Sequence, residues 1–264
     1  MKNLSKLWCA VLAMLAIGQC HAGGIGDTGA NAYWGADSHG YGDVIGNSTY
    51  EINGATITRV NNVLTIAIAT NFAGHAGSDA GLAPGGIGYG DVFLAKSWNP
   101  FGTDAHHAGD KASNGTLWSY GLSLNNRQSN SGGSFTLYQL NGATNAANIL
   151  NSESFMGCSL GSQCYYRDGQ ATAVKTNSTS VRNTGVTGTW TVTANQELRF
   201  TMNIASTDLI NFSSFAMHWG ETCQNDVIEG MTSVVAAPGT MPLLALGLGA
   251  MLFLQRRRRP ALAA

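Results

Sequence analysis

An all-β fold, a single β-sandwich or jelly-roll-like domain, is what this 264-residue sequence predicts, and three features predict it. Short apolar runs alternate with polar residues at a period of two. Gly- and Asn-rich clusters separate the runs. No stretch between residues 23 and 234 sustains the 3.6-residue period of a helix. Alternation at two buries every second side chain on one face of a strand, which a helical repeat does not do.

The strands follow in order. "TYEINGATITRV" and "VLTIAIATNF" are rich in Ile, Val and Thr and are separated by Asn61-Asn62, a pair suited to a tight turn. "DVFLAKSW", "LWSYGLSL" and "SFTLYQL" come next, divided by loops and by the cluster "NNRQSNSGG". "TWTVTA" and "LRFTMNI" flank "TANQE", and "FAMHW" closes the series. A body of this size supports one core.

The ends differ from the body. Residues 1–22 combine Lys2 and Lys6, an apolar run from Leu7 to Ile17, and Cys20-His21-Ala22 before Gly23. That order reads as a secretory signal helix; a lipid anchor on Cys20 is the alternative, opposed by Gln19 where a small residue is expected. At the other end, Ala236 to Leu254 gives 19 apolar or small residues. That is enough to cross a hydrocarbon core of about 30 Å at about 1.5 Å per residue as a transmembrane helix. Arg256, Arg257, Arg258 and Arg259 follow directly and are expected to stay on the cytoplasmic side. The domains expected are therefore a signal peptide (1–22), a β domain (23–234) and a C-terminal sorting segment (235–260).

Removing both ends changes the charge balance. The chain as a whole carries −1, but the body has eight basic and fifteen acidic residues, a net charge of −7. An acidic body lacks the Lys/Arg clusters that phosphate contacts require, so no nucleic-acid partner is expected.

A Pro-containing motif at Pro238-Gly239, a Gly/Leu-rich span and an arginine cluster, in that order, resemble the PEP-CTERM sorting signal of Gram-negative bacteria. The family's Pro-Glu-Pro is here Ala236-Ala237-Pro238. The segments "AYWGADSHGYGDVIG", "GYGDVFLAKSWNPFG" and "FAMHWGETCQNDVIEG" resemble blocks of a group of PEP-CTERM surface proteins of otherwise unknown function. The resemblance implies an exosortase-type membrane protease and the secretion machinery as partners. It implies transient anchoring by the C-terminal helix, then residence at the cell surface or in the extracellular polysaccharide matrix. It transfers no catalytic residue.

Export leaves Cys158, Cys164 and Cys223. One disulfide is expected, Cys158 to Cys164 across the short loop "CSLGSQC"; a bridge from either to Cys223 is left open by the sequence.

One local pattern recurs: "GYGDVIG", "GYGDVFL" and "QNDVIEG" each set an Asp before an apolar pair, at Asp43, Asp91 and Asp226. Each Asp is expected to cap a turn entering a strand by bonding nearby backbone. The chemical alternative is that loops gathered at one end bring Asp43, Asp91, Asp226 and Glu229 around calcium, a hard cation that takes six to eight oxygens. No other cofactor is expected.

Trp34 and Trp98 lie in Gly/Asn/Pro-rich loops and are candidates for stacking on sugar rings, while Trp118 and Trp190 lie in apolar alternation and are expected in the core. His106-His107 is a loop pair beside Asp104 and Asp110, expected to be solvated. No His-Glu-x-x-His occurs. The function expected is that of an exported structural or adhesive protein of exopolysaccharide or biofilm, not an enzyme. The alternative is a polysaccharide-binding module or polysaccharide-active enzyme, which would need a cleft with two convergent, pKa-shifted carboxylates.

Overall fold

Twelve strands, all paired antiparallel, dominate the computed structural model, which describes residues 23–26, 49–101, 110–158, 164 and 166–234. These residues belong to one compact unit, 22–235. The signal helix, the transmembrane helix, Trp34, Asp43, His106-His107 and the sorting residues Pro238, Gly239 and Arg256 to Arg259 lie outside the described residues. Among those described, no helix is long and apolar enough to cross a membrane.

Ten strands form one sheet: β1 (Gly23–Ile25), β2 (Ile52–Val60), β3 (Val63–Thr70), β4 (Val92–Ala95), β5 (Tyr120–Leu124), β6 (Gly132–Leu140), β9 (Val181–Thr193), β10 (Glu197–Asn203), β11 (Ser214–Gly220) and β12 (Val227–Ser233). Their order is β1-β2-β3-β10-β9-β6-β5-β4-β11-β12. β7 (Ile149–Asn151) and β8 (Ala171–Val174) pair separately, after a single helical turn at Asn145–Asn148.

The all-β expectation holds, but two stacked sheets do not form. The ladder is unbroken, and the sheet curls until its end strands meet. β1 lies against β12: a methyl group added to Gly230 would come within 2.7 Å of Ile25 Cγ2, so only glycine allows this approach. Alternation alone gives the same pattern for a sandwich and for a curled sheet, because both have one inner face.

Local chemistry sets the turns. Val60 pairs with Val63, leaving the two-residue turn Asn61-Asn62, with Asn61 in the left-handed region at φ 53°. Asn supports that conformation better than most side chains. Asn195 (φ 56°) serves the β9–β10 turn in the same way.

The inner face is filled by Leu64, Ile66 and Ile68 of β3, Leu198, Phe200 and Met202 of β10, and Phe215, Met217 and Trp219 of β11. A relay of rings crosses this core: Tyr50 to Phe72 (5.1 Å), Phe72 to Tyr89 (5.4 Å), Tyr89 to Trp190 (5.4 Å) and Trp190 to Phe200 (6.1 Å). Offset and edge contacts at these spacings are the favourable arrangements for aromatic rings.

A second, smaller core lies on the outer face of β4, β5 and β11. There Phe93, Ala95 and Ala216 pack against Trp118, Leu140, Ile149, Ala171 and Val174. β4 is consequently buried on both faces, which accounts for its unalternating "VFLA". Cys158 and Cys164 are joined by a disulfide, and Cys223 is free and buried.

Candidate functional site

β11 reads Ser-Phe-Ala-Met-His-Trp-Gly and is buried from Phe215 to Gly220. His218 is therefore an imidazole on an otherwise apolar, doubly covered strand. The β11–β12 register sets it directly opposite Glu229. Its Nδ1 lies 2.8 Å from Glu229 Oε2, and its Nε2 lies 2.8 Å from the Ala171 carbonyl of β8. Both ring nitrogens face acceptors, so both are satisfied as donors only when the ring is an imidazolium beside a carboxylate. The rings of Trp118 (5.8 Å) and Phe93 (6.2 Å) enclose the pair.

The segment after β4 completes the cluster. The Trp98 indole N–H donates to Glu229 Oε1 at 2.9 Å. The Asp110 carboxyl lies against Glu229 and accepts from the backbone N–H groups of Thr116 and Phe101. Gly115, at φ +74°, leaves the space that the Asp110 carboxyl occupies; any side chain there would overlap it. His218, Asp110 and Glu229 are 1%, 6% and 8% exposed.

This geometry drives the two carboxyls apart in acidity. Burial, then the negative charge of Glu229, pushes Asp110 up to about 9. Burial raises Glu229 too, but the hydrogen bond and charge of His218, with donors from Asp110 and Trp98, outweigh it and hold Glu229 below the ordinary carboxylate range. The two touching carboxyls therefore do not ionise together: Asp110 keeps its proton where Glu229 has lost its own, which spares the buried space a second negative charge.

The two sites expected from the sequence meet here in an unexpected way. Trp98, a sugar-stacking candidate, is half-buried and spends its N–H on Glu229, a calcium candidate. Asp91 is engaged elsewhere: Oδ1 accepts from Leu124 N (3.0 Å) and Arg127 (3.3 Å), and Oδ2 from Val174 N (2.8 Å). Asp226 accepts from Ile52 N (2.7 Å) and from its own neighbour Val227 N (2.8 Å). Asp91, Asp226 and Glu229 thus serve different partners. Among the described residues no group of three or more His, Cys, Asp or Glu is placed to hold a metal ion. The turn-capping reading describes Asp226, whose carboxylate bonds the next backbone N–H. Asp91 instead ties the end of β5 to β8, a long-range contact that local pattern does not reveal.

His218 and Asp110 were not singled out by the sequence pattern. The β11–β12 hairpin carried the one available signal: pairing "FAMHW" with "DVIEG" about their short connection sets His218 opposite Glu229. Nothing local marks Asp110.

Five other residues define a second feature, on the outer face of the sheet. Thr58 of β2 stands opposite Thr65 of β3, Thr65 opposite Thr201 of β10, Thr201 opposite Thr189 of β9, and Thr189 opposite Ser134 of β6. The result is one transverse row of five hydroxyl side chains across five strands, exposed at Thr189 and Ser134 and half-buried at the other three. Asn125 Nδ2 donates to Ser134 Oγ at 2.7 Å and extends the row. No family model, curated protein or solved structure matches this chain.

Proposed function

We propose that this is an exported protein, sorted by an exosortase-type system, whose β domain is a structural or adhesive element of the cell surface or extracellular polysaccharide. The observation that carries the adhesive part is the hydroxyl row from Thr58 to Ser134. Strand spacing sets neighbouring hydroxyls about 4.8 Å apart. An uncharged ladder of donors and acceptors suits a neutral, hydroxyl-rich polymer, with many weak hydrogen bonds adding along the chain. The Cys158–Cys164 disulfide is in keeping with an oxidising compartment.

The polysaccharide-active alternative draws on Asp110 and Glu229, which are convergent and shifted in opposite directions. Their carboxyls are in hydrogen-bonding contact, whereas a glycosidic pair stands about 5–9.5 Å apart with the sugar between. The pair supports a structural role better than glycoside cleavage.

Two measurements test the proposal. Replacing Thr58, Thr65, Thr189 and Thr201 together by the isosteric Val keeps strand propensity and removes the hydroxyls. Retention on an insoluble neutral glucan should then fall severalfold while the melting temperature holds; unchanged retention overturns the adhesive face. Replacing Arg256 to Arg259 by Gln should leave the protein misrouted between membrane, surface and medium. Unchanged distribution and mature mass overturn the sorting reading.

A further inference from the structure

A cavity of about 300 Å³ opens beside β7, lined by no residue of the buried cluster or of the hydroxyl row. Its apolar wall includes Ile149 and Leu150; its polar lining is Ser113, Asn151, Ser154 and Lys175. None of its lining residues is acidic. The nearest carboxylates have partners of their own: Asp168 pairs with Lys111 at 3.0 Å, and Glu153 accepts the Gly169 N–H at 2.8 Å. Lys175 makes no ion pair among the described residues. Ser154 Oγ donates to Asn151 Oδ1 at 3.1 Å, which leaves the Asn151 amide N–H groups to donate into the opening.

We propose that this cavity binds one sugar-acid unit, a pyranose bearing a single carboxylate. Each part of the lining answers one part of that ligand. The Lys175 ammonium takes the carboxylate, and a single unpaired cation matches one negative charge better than the nearly two of a phosphate. Ser113, Asn151 and Ser154 supply the mixed donors and acceptors that ring hydroxyls need. Leu150, half-buried, offers an apolar side chain to the C–H face of the ring. The volume lies at the small end of ligand cavities, which suits one ring and not an oligomer. The ligand has two sources, a free sugar acid or the end of an acidic polysaccharide chain, and both present the same group. This site goes beyond the adhesive reading and does not depend on it, since the hydroxyl row is on other strands.

The test is calorimetric or NMR titration of the purified protein with sodium glucuronate, glucose, inorganic phosphate and short oligoglucuronates. Glucuronate should bind at least tenfold more tightly than glucose or phosphate. Lys175→Gln should weaken it at least tenfold with an unchanged melting temperature, and Lys175→Arg should retain part of it. Oligoglucuronate binding as well as the monomer, per chain end, points to the polymer source; a much weaker oligomer points to the free acid. Equal affinity for glucose and glucuronate, an indifferent Lys175→Gln variant, or no saturation at tens of millimolar overturns the site. Glucan retention in the Thr→Val variant is a separate readout, so failure of either proposal leaves the other standing.

Discussion

The indole N–H of Trp98 donates to Glu229 Oε1 at 2.9 Å, joining residues 131 positions apart in the chain. It fastens the segment after β4 to the outer face of β12, over His218.

Trp98→Phe keeps an aromatic ring against the second core but removes the donor. A buried carboxylate oxygen then loses one partner, at a cost of about 1–3 kcal/mol. Urea unfolding should show a lower midpoint with an unchanged slope. A midpoint equal to that of the parent protein would show that solvent replaces the indole without loss.

His218→Ala leaves Glu229 charged and without its counter-ion, and should cost about 3–5 kcal/mol. Adding Glu229→Gln removes the stranded charge while keeping an acceptor for Trp98. The double variant should recover part of the loss. A double variant no more stable than His218→Ala would mean that packing, not charge pairing, sets the cost.

Asp110 titrates near 9 in the folded protein, against an ordinary value of 3.8. Between those values the folded state holds a proton that the unfolded state has released. Its contribution is therefore fully present below about pH 4 and is lost as pH rises toward 9. Asp91, raised mainly by burial, slopes the same way. Glu229 is lowered, so its contribution is present above the ordinary carboxylate range and is lost as pH falls through its folded value. Asp110→Asn should flatten the decline in stability from pH 5 to 9 without abolishing it. A parallel slope in the variant would contradict the assignment of that proton to Asp110.

The Cys158–Cys164 bridge closes a short loop, so Cys158→Ser with Cys164→Ser should cost only about 2 kcal/mol. Cys223 is 3% exposed, and burial, aided by the nearby Glu221 charge, pushes its thiol up. Alkylation of the native protein should leave it unmodified, and unfolding should add one labelled thiol. Rapid native labelling would place Cys223 in contact with solvent.

Strand identity was legible in the sequence because it depends on local chemistry. Alternating Val, Ile, Thr and aromatic residues define an inner and an outer face whatever the topology, and Asn61 and Asn195 mark turns by tolerating positive φ. The same local logic found Asp226, which bonds its own neighbour. What the pattern could not carry was the relation between faces. One curled sheet and two stacked sheets bury the same alternating residues. The tertiary structure decided between them through the unbroken ladder and the approach of Ile25 to Gly230. It also decided what the polar residues do. Trp98, Asp110, His218 and Glu229 each look ordinary in their own segments. They form one cluster only because β12, β11 and the segment after β4 bring them together in a buried space, where each polar group satisfies the next.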